Sequence, residues 1–394
     1  MALRYGAEAR LDSRTKNRPS YFVNFNQPIR VIINAIADII KKESPDIIHI
    51  HNLGRAEGIY SYLSELCGLI PVVHSVHGHD LYCPSGRKYF YRDLRICQRR
   101  YGPCCLFSML LNRCFDSKRP WIIFNFYNRP KQFLDNYYIF KKIIVISEFV
   151  GRCLIKHGLQ EESIEVLPYF TDIPELKDND DKNIILFVGR IYKEKGLNYL
   201  IRALQFIKVP FKLVVVGDGD SRELKNCKKI SQKLGLKDKV EFVGRKLNLQ
   251  DYYSQASIVA VPSIWPEPFG IVGIEAMSYA KPVAAFNVGG IPEWLENNQT
   301  GFLVEPYNIK EMACKIERLL QDKALAERLG QQGRQMCQEK FNIDKHVSRL
   351  LEIYTEIYKD TLHEHIEIAN IYSGLSKAMN LVNPKEKQET ILNY

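Results

Sequence analysis

The chain has 394 residues, of which 46% are hydrophobic and 25% charged, and it carries a net charge of +10. That length holds two domains with a core each, and the composition is that of an ordinary soluble protein. No apolar run approaches the roughly 20 residues that span a bilayer, and Met1-Ala2-Leu3-Arg4 opens no apolar leader, so a cytosolic protein is expected.

Taken in chain order, the first half predicts a helix over 29–42, a strand over 46–51, a helix over 57–67 and a strand over 71–75. After 81 the alternation fails. Residues 81–138 are rich in Arg, aromatic and Cys residues and read as a long excursion with some helix. Cys83, Cys97, Cys104, Cys105 and Cys114 fall in it. Without a secretion signal, reduced thiols are expected rather than disulfides; a structural zinc held by this loop is the alternative, although the spacing lacks the usual paired Cys-x-x-Cys. A strand over 142–146, a helix over 148–157 and a strand over 164–168 close the domain 1–170.

Residues 171–182 are polar, centred on Asp178-Asn179-Asp180-Asp181-Lys182, and read as a linker. The second domain, 183–345, predicts strands at 184–188, 211–216, 240–243, 258–261, 282–286 and 302–304 with helices between. Short apolar strands alternating with helices indicate parallel sheets joined by crossovers. An amphipathic helix over 346–359 opens a last segment, 346–370, followed by a polar tail, 371–394.

The most informative stretch is Pro262-Ser263-Ile264-Trp265-Pro266-Glu267-Pro268-Phe269-Gly270, leading into Ile271-Val272-Gly273-Ile274-Glu275. Pro268 and Gly270 mark a turn, and 271–280 reads as a buried helix. A loop that opens a helix presents free backbone N–H groups and the positive end of the helix dipole, which suits an anion or a hydroxyl-rich ligand. Glu275 shares a helix face with Ile271 and Val272. Two glutamates flanking such a turn can grip sugar hydroxyls at two points.

This stretch resembles the signature of the retaining, family-4 type glycosyltransferases (glycosyl transferases group 1) with the GT-B fold. Further matches are Phe187-Val188-Gly189-Arg190-Ile191 with Lys195-Gly196, Leu213–Gly219, Val243-Gly244-Arg245, Asn287–Glu293 and Thr300–Val304. The resemblance covers about residues 45–360 and implies an α/β protein of two Rossmann-like domains facing a cleft. It implies that the last helix crosses back to the first domain. It also implies transfer of a sugar from a nucleoside-diphosphate sugar, UDP- or GDP-linked, to a glycan or lipid-linked acceptor, with no cofactor and no metal. Such enzymes serve cell-surface polysaccharide or glycoconjugate synthesis.

Site roles follow the resemblance residue by residue. Arg190 and Lys195 would neutralise the diphosphate; Gly189, Arg245 and Glu275 would bind the nucleotide, with Glu275 on the ribose. Glu267 would lie against the donor sugar, with the backbone N–H groups of Phe269, Gly270 and Ile271 on further hydroxyls. His77 would contact the sugar near the reacting centre, with His79 as its rival and Asp80 orienting a histidine. Tyr169 departs from the family, where asparagine is usual. Asp218-Gly219-Asp220 has the spacing of a metal motif but matches a family turn.

Two features qualify this reading. Proteins of the family begin with a strand and a glycine-rich loop, whereas residues 1–28 hold a single glycine, Gly6. The first domain therefore reads as shortened, and a truncated, non-catalytic nucleotide-binding or partner subunit is the alternative. A phosphorylase would need a pyridoxal-phosphate lysine, for which no motif appears. The second feature is charge. Residues 1–170 hold 24 Lys+Arg against 15 Asp+Glu, while 171–394 hold 31 against 30. Basic residues of 82–101 interleave with Tyr82, Tyr89, Phe90, Tyr91 and Tyr101, a pattern expected to favour peripheral contact with an anionic membrane at the inner face of the cell membrane. Nucleic acid is not the expected partner, because no helix-turn-helix, zinc-finger or RNP pattern is present.

Overall fold

The computed structural model describes residues 29–51, 59–90, 94–111, 113–115, 119–176 and 183–382, the side chains of 29 and 364–382 excepted. The reading of a missing first βα unit falls on residues 1–28 and lies outside these.

The first domain runs α1 (Ile29–Glu43), β1 (Ile48–His51), α2 (Ile59–Leu66), β2 (Val72–Val76), α3 (Pro103–Leu110), α4 (Pro120–Asn136), β3 (Lys142–Val145), α5 (Glu148–Lys156) and β4 (Ile164–Val166). Its strands form a parallel sheet in the order β1-β2-β3-β4. The central strands β2 and β3 are buried on both faces, β2 over its whole length with His74 and Ser75 included, as a sheet covered on both sides requires. The excursion after β2 resolves into α3 and α4, each with proline in its first turn, where a missing N–H costs nothing.

The segment expected to meet a membrane turns much of its aromatic surface inward. Tyr82 and Tyr89 are each 1% exposed, and the Lys88 ammonium is buried, donating to the Arg99 carbonyl at 2.5 Å. Arg95, Arg99 and Arg100 stay exposed. The inward rings are shared between the domains: Tyr82 joins the first domain's core, whereas Tyr89, with Leu94, packs into the second domain's core.

The second domain runs β5 (Ile184–Val188), α6 (Leu197–Leu204), β6 (Lys212–Val216), α7 (Ser221–Lys233), β7 (Val240–Gly244), α8 (Gln250–Gln255), β8 (Ile258–Val261), α9 (Ile271–Ser278), β9 (Val283–Phe286), β10 (Gly301–Val304), α10 (Ile309–Gln321) and α11 (Lys323–Lys340). Its six parallel strands lie in the order β10-β9-β8-β5-β6-β7. From β5 the sheet grows one way through β6 and β7, and the other way through β8, β9 and β10. The loops leaving the carboxyl ends of β5 and β8 therefore diverge and leave a crevice, the place where open α/β sheets bind ligands.

A 40-residue helix, α12 (Ile343–Val382), follows. Ile353 and Ile357 pack on Val73, Ile144 and Leu167, so the helix crosses back onto the first domain's sheet. The Arg349 guanidinium fixes it there through Glu165, with nitrogens at 2.7 and 3.1 Å from one carboxylate oxygen. The helix does not stop at 370. Ile371, Leu375, Met379 and Val382 keep the i, i+4, i+8, i+11 apolar spacing through the stretch read as a polar tail, and Pro384 lies just beyond.

Candidate functional site

Two adjoining cavities lie along the crevice. The first, about 300 Å³, is lined by His77, Ile146 and Tyr169 from the first domain, by Gly189, Arg190 and Lys195 after β5, and by Ser263, Trp265 and Glu267 through Val272 after β8. The second, about 430 Å³, is lined by Phe170 to Asp172, Leu247 to Gln250, Tyr253, Glu275 and Tyr279. Val272 and Glu275 are three residues apart on one face of α9, and Tyr169 and Phe170 are consecutive, so the cavities follow one another along the same walls.

Glycines make the first cavity possible. Gly196 sits at φ 72°, and a Cβ there would fall 1.7 Å from the Pro262 carbonyl oxygen. Only glycine lets the β5 loop lie this close to the β8 loop. The contact brings the Lys195 ammonium to 2.5 Å from Oε1 of Glu267, which also accepts from the Ser263 hydroxyl at 2.6 Å. Glu267 is 5% exposed. Burial alone would raise its carboxyl; the adjacent Lys195 charge and the hydrogen bonds from Lys195 and Ser263 outweigh burial and hold it below the usual range. The Trp265 indole N–H also favours that charge, yet it is buried without a partner at hydrogen-bond geometry. Lys195 also lies 5.1 Å from the centre of the Trp265 ring. Arg190 is exposed at the cavity's edge, over the Tyr192 ring.

The loop before α9 is held by its carbonyls. Pro266 O accepts from His79 Nε2 at 2.6 Å, Glu267 O from Gly290 N at 2.7 Å, Pro268 O from the Ser147 hydroxyl at 2.5 Å, and Phe269 O from Trp294 Nε1 at 2.6 Å. The first domain supplies the first and third donors, and the second domain the other two. Gly289, at φ 60°, passes so near that a Cβ would sit 2.2 Å from Glu267 O. Four successive carbonyls of the loop are thus engaged, and α9 begins just after Gly270 with its first-turn N–H groups beside the cavity. Phe269 lines the cavity with its side chain packed in the core.

The two domains meet elsewhere along the crevice as well. The Glu293 carboxylate accepts the backbone N–H groups of Glu148 and Phe149 at 2.7 and 2.6 Å, capping α5 from the opposite domain. Burial raises its carboxyl, against the opposing effect of those two bonds.

The rival histidines separate. His77 lines the first cavity; its Nδ1 is 2.7 Å from the Tyr169 hydroxyl and its Nε2 is 2.8 Å from His51 Nδ1. The Tyr169 ring stacks parallel to it at 5.7 Å. His79 is buried outside the cavity. Because Pro266 O can only accept, His79 carries its proton on Nε2 and accepts from the Tyr82 hydroxyl at Nδ1, 2.5 Å away. Burial, the largest influence, pulls its pKa to about 4 and keeps it neutral. The ring nitrogens of His77 face Tyr169 and His51, and those of His79 face Tyr82 and the Pro266 carbonyl.

Glu275 faces the second cavity, apart from Glu267. Its carboxylate accepts from the Tyr253 hydroxyl at 2.7 Å, and burial raises its pKa against that bond. The two glutamates thus line different cavities, Glu267 the first and Glu275 the second. Arg245 is exposed and lines neither cavity; its neighbours Leu247 to Gln250 do. Gly189 lines the first cavity with its N–H bonded to Val216 O at 3.0 Å. Sequence reasoning missed His51 and Trp265. Trp265, a lone indole inside a Pro/Gly loop, carried a signal; His51 did not, because only the register of β1 on β2 brings it beside His77. Among the described residues no group of three or more His, Cys, Asp or Glu is placed to hold a metal ion.

Comparison with known proteins bears on the family and the fold. The pattern of the family described as Glycosyl transferases group 1 fits residues 169–336, and that of Glycosyltransferase Family 4 fits residues 3–174. An uncharacterized glycosyltransferase of Methanocaldococcus jannaschii is 35% identical over 179 residues, 44% of this chain and 45% of that protein. The capsular polysaccharide biosynthesis glycosyltransferase CapM of Staphylococcus aureus is 33% identical over 242 residues, 56% of this chain and 62% of that protein. The chain spans about half the length of the curated relatives it matches. Among solved structures, Anabaena HepE in complex with UDP superposes with a TM-score of 0.64 at 21% identity, covering 84% of this chain and 85% of that one. The same protein has also been solved with UDP-glucose. These likenesses agree with the two-domain GT-B fold.

Proposed function

The chain belongs to the family-4 type GT-B glycosyltransferases, and from that premise we propose that it moves a sugar from a nucleoside-diphosphate sugar to a glycan or lipid-linked acceptor, with retention of configuration, in polysaccharide or glycoconjugate synthesis. The observation that carries this reading is the Lys195–Glu267 pair, set at the switch point of the sheet in a cavity that both domains line. The first cavity would take the donor sugar and diphosphate, and the second the nucleoside. Glu267, ionised and fixed at one oxygen, keeps its other oxygen for a sugar hydroxyl. Lys195 is already matched by Glu267, so Arg190 and the N-terminus of α9 would carry most of the diphosphate charge as it develops on the leaving group. Glu275 would accept from the ribose, and Trp265 would donate to a donor oxygen. His77, steadied by Tyr169 and His51, would lie against the sugar at the reacting face. In a front-face mechanism the departing phosphate takes the acceptor proton, so no further base is required.

A second reading, a nucleotide-binding partner without turnover, draws on the first domain. Among the described residues its sheet has four strands, and β1 pairs with β2 alone. Titration with UDP and GDP, followed by donor consumption on addition of UDP- and GDP-sugars, separates the two. Binding with consumption fits transfer, and binding without consumption over a broad donor and acceptor panel fits the partner. No binding of any nucleotide would sink both.

A further inference from the structure

We propose that the α3–α4 hairpin is a docking surface for an anionic lipid bilayer. Five large apolar side chains stand out from it: Phe107 is 62% exposed, Leu110 46%, Leu111 40%, Trp121 61% and Phe124 47%. Phe107 and Leu110 or Leu111 are three and four residues apart on α3, and Trp121 and Phe124 are three apart on α4, so each group shares one helix face. The two helices pack on each other, with Leu110 and Leu111 at the end of α3 and Trp121 at the start of α4.

This exposure is not a consequence of a loosely held hairpin. Its inner side is anchored: Phe133 and Ile123 are buried, Phe115 and Phe126 rings lie 4.7 Å apart, Arg129 covers the Phe126 ring at 3.7 Å, and Tyr101 packs on Tyr127. The apolar outer face is therefore presented by a fixed element. Exposed apolar groups clustered in this way mark an interaction surface.

Charge selects the occupant. Arg99 donates to Ser108 on α3 and stays exposed, Arg113 is exposed in the joining segment, and Arg119 lies 5.9 Å from the Trp121 ring. Asp135, at the far end of α4, is paired with Lys131, and in the sequence of the joining segment the single carboxylate Asp116 stands against Arg113, Lys118 and Arg119. An apolar tip carrying tryptophan and phenylalanine, with Arg113 and Arg119 beside it, matches the boundary between anionic headgroups and acyl chains. No helix among the described residues is long and apolar enough to cross a membrane, so the contact is peripheral. The basic segment 82–101 then acts through its outward arginines, and the apolar contact comes from α3 and α4.

Position gives the contact a use. The hairpin lies between β2 and β3, and His77, the residue after β2, lines the first cavity. Docking here holds the first domain's side of the crevice near the lipid surface. The inference does not depend on the sugar-transfer reading, and its test reads lipid binding alone.

The full chain is floated with vesicles of phosphatidylcholine, alone or with phosphatidylglycerol, at low and high salt. The expected result is flotation with anionic vesicles, weakened by salt, and a loss of about tenfold or more in Phe107→Ser/Trp121→Ser/Phe124→Ser, with the thermal midpoint unchanged. Leu69→Ser, at a side chain 72% exposed elsewhere, should float like wild type. Brominated acyl chains should quench tryptophan emission in wild type and much less in Trp121→Phe. Equal flotation of the triple variant, no flotation at low salt, or equal binding to neutral vesicles would overturn the proposal. So would concentration-dependent self-association without vesicles that the triple variant abolishes, which would make the face a contact between copies of this chain.

Discussion

Replacing Lys195 by methionine isolates the central ion pair. The substitution keeps the stem that packs near Trp265 and removes the charge 2.5 Å from Glu267. Breaking a buried pair from one side costs roughly 3–5 kcal/mol, because the remaining charge stays buried. Here the Lys195 side chain is 20% exposed and that of Glu267 7%, and Ser263 still donates to the carboxylate, so water and one hydrogen bond reduce the loss to about 2–4 kcal/mol. The pH dependence identifies the cause. In wild type the folded-state carboxyl lies below its unfolded value, so its contribution is full above the unfolded value and is lost as pH falls through the folded one. In Lys195→Met burial dominates, and the folded carboxyl should rise above its unfolded value. The variant's deficit then shrinks toward about pH 5 and grows as pH rises to about 8 through that raised value. Thermal unfolding of wild type, Lys195→Met and Lys195→Met/Glu267→Gln at both pH values tests this. The double variant should regain most of the loss at the higher pH, since no buried charge remains. A single variant as stable as wild type at pH 8, or a deficit that does not change with pH, would refute the reasoning.

Three further outcomes are expected. Glu275→Ala should weaken nucleotide binding by roughly 1.5–3 kcal/mol, the worth of a charge-assisted hydrogen bond, and calorimetry giving unchanged affinity would remove Glu275 from the nucleoside site. His77→Ala and His79→Ala should part company: the first lowers turnover while the melting temperature holds, and the second lowers the melting temperature because it strips the bonds to Tyr82 and Pro266. The reverse pattern would exchange their roles. Transfer should survive EDTA once bound metal has been measured, and loss on chelation with recovery on adding Mg²⁺ or Mn²⁺ would count against charge neutralisation by Arg190, Lys195 and the α9 N-terminus.

The second domain was legible because its strands are short, apolar and bounded by turn residues. The strands 184–188 and 258–261 stand where the pattern put them, and their order around β5 places the crevice. The excursion was less legible. Its helices start at Pro103 and Pro120, usable signals, but Pro130 inside α4 and the dense aromatics hid the helical period. The tyrosines of 82–101 read as interfacial because composition cannot tell an inward ring from an outward one; Tyr82 and Tyr89 are core residues. Long-range partners were invisible for the same reason. Tyr169 was recognised as a departure, yet its bond to His77 spans 92 positions, and the His79 bond to Pro266 spans 187. Nothing local in either segment specifies such a pairing.

The most direct measurement of the central claim is release of nucleoside diphosphate from a panel of UDP- and GDP-sugars, with and without glycan and lipid-linked acceptors, by wild type and Glu267→Gln. The account predicts release from at least one donor, stimulated by an acceptor and strongly reduced in Glu267→Gln while the fold is retained. Nucleotide binding without release from any donor, or release unaffected by Glu267→Gln, would contradict it.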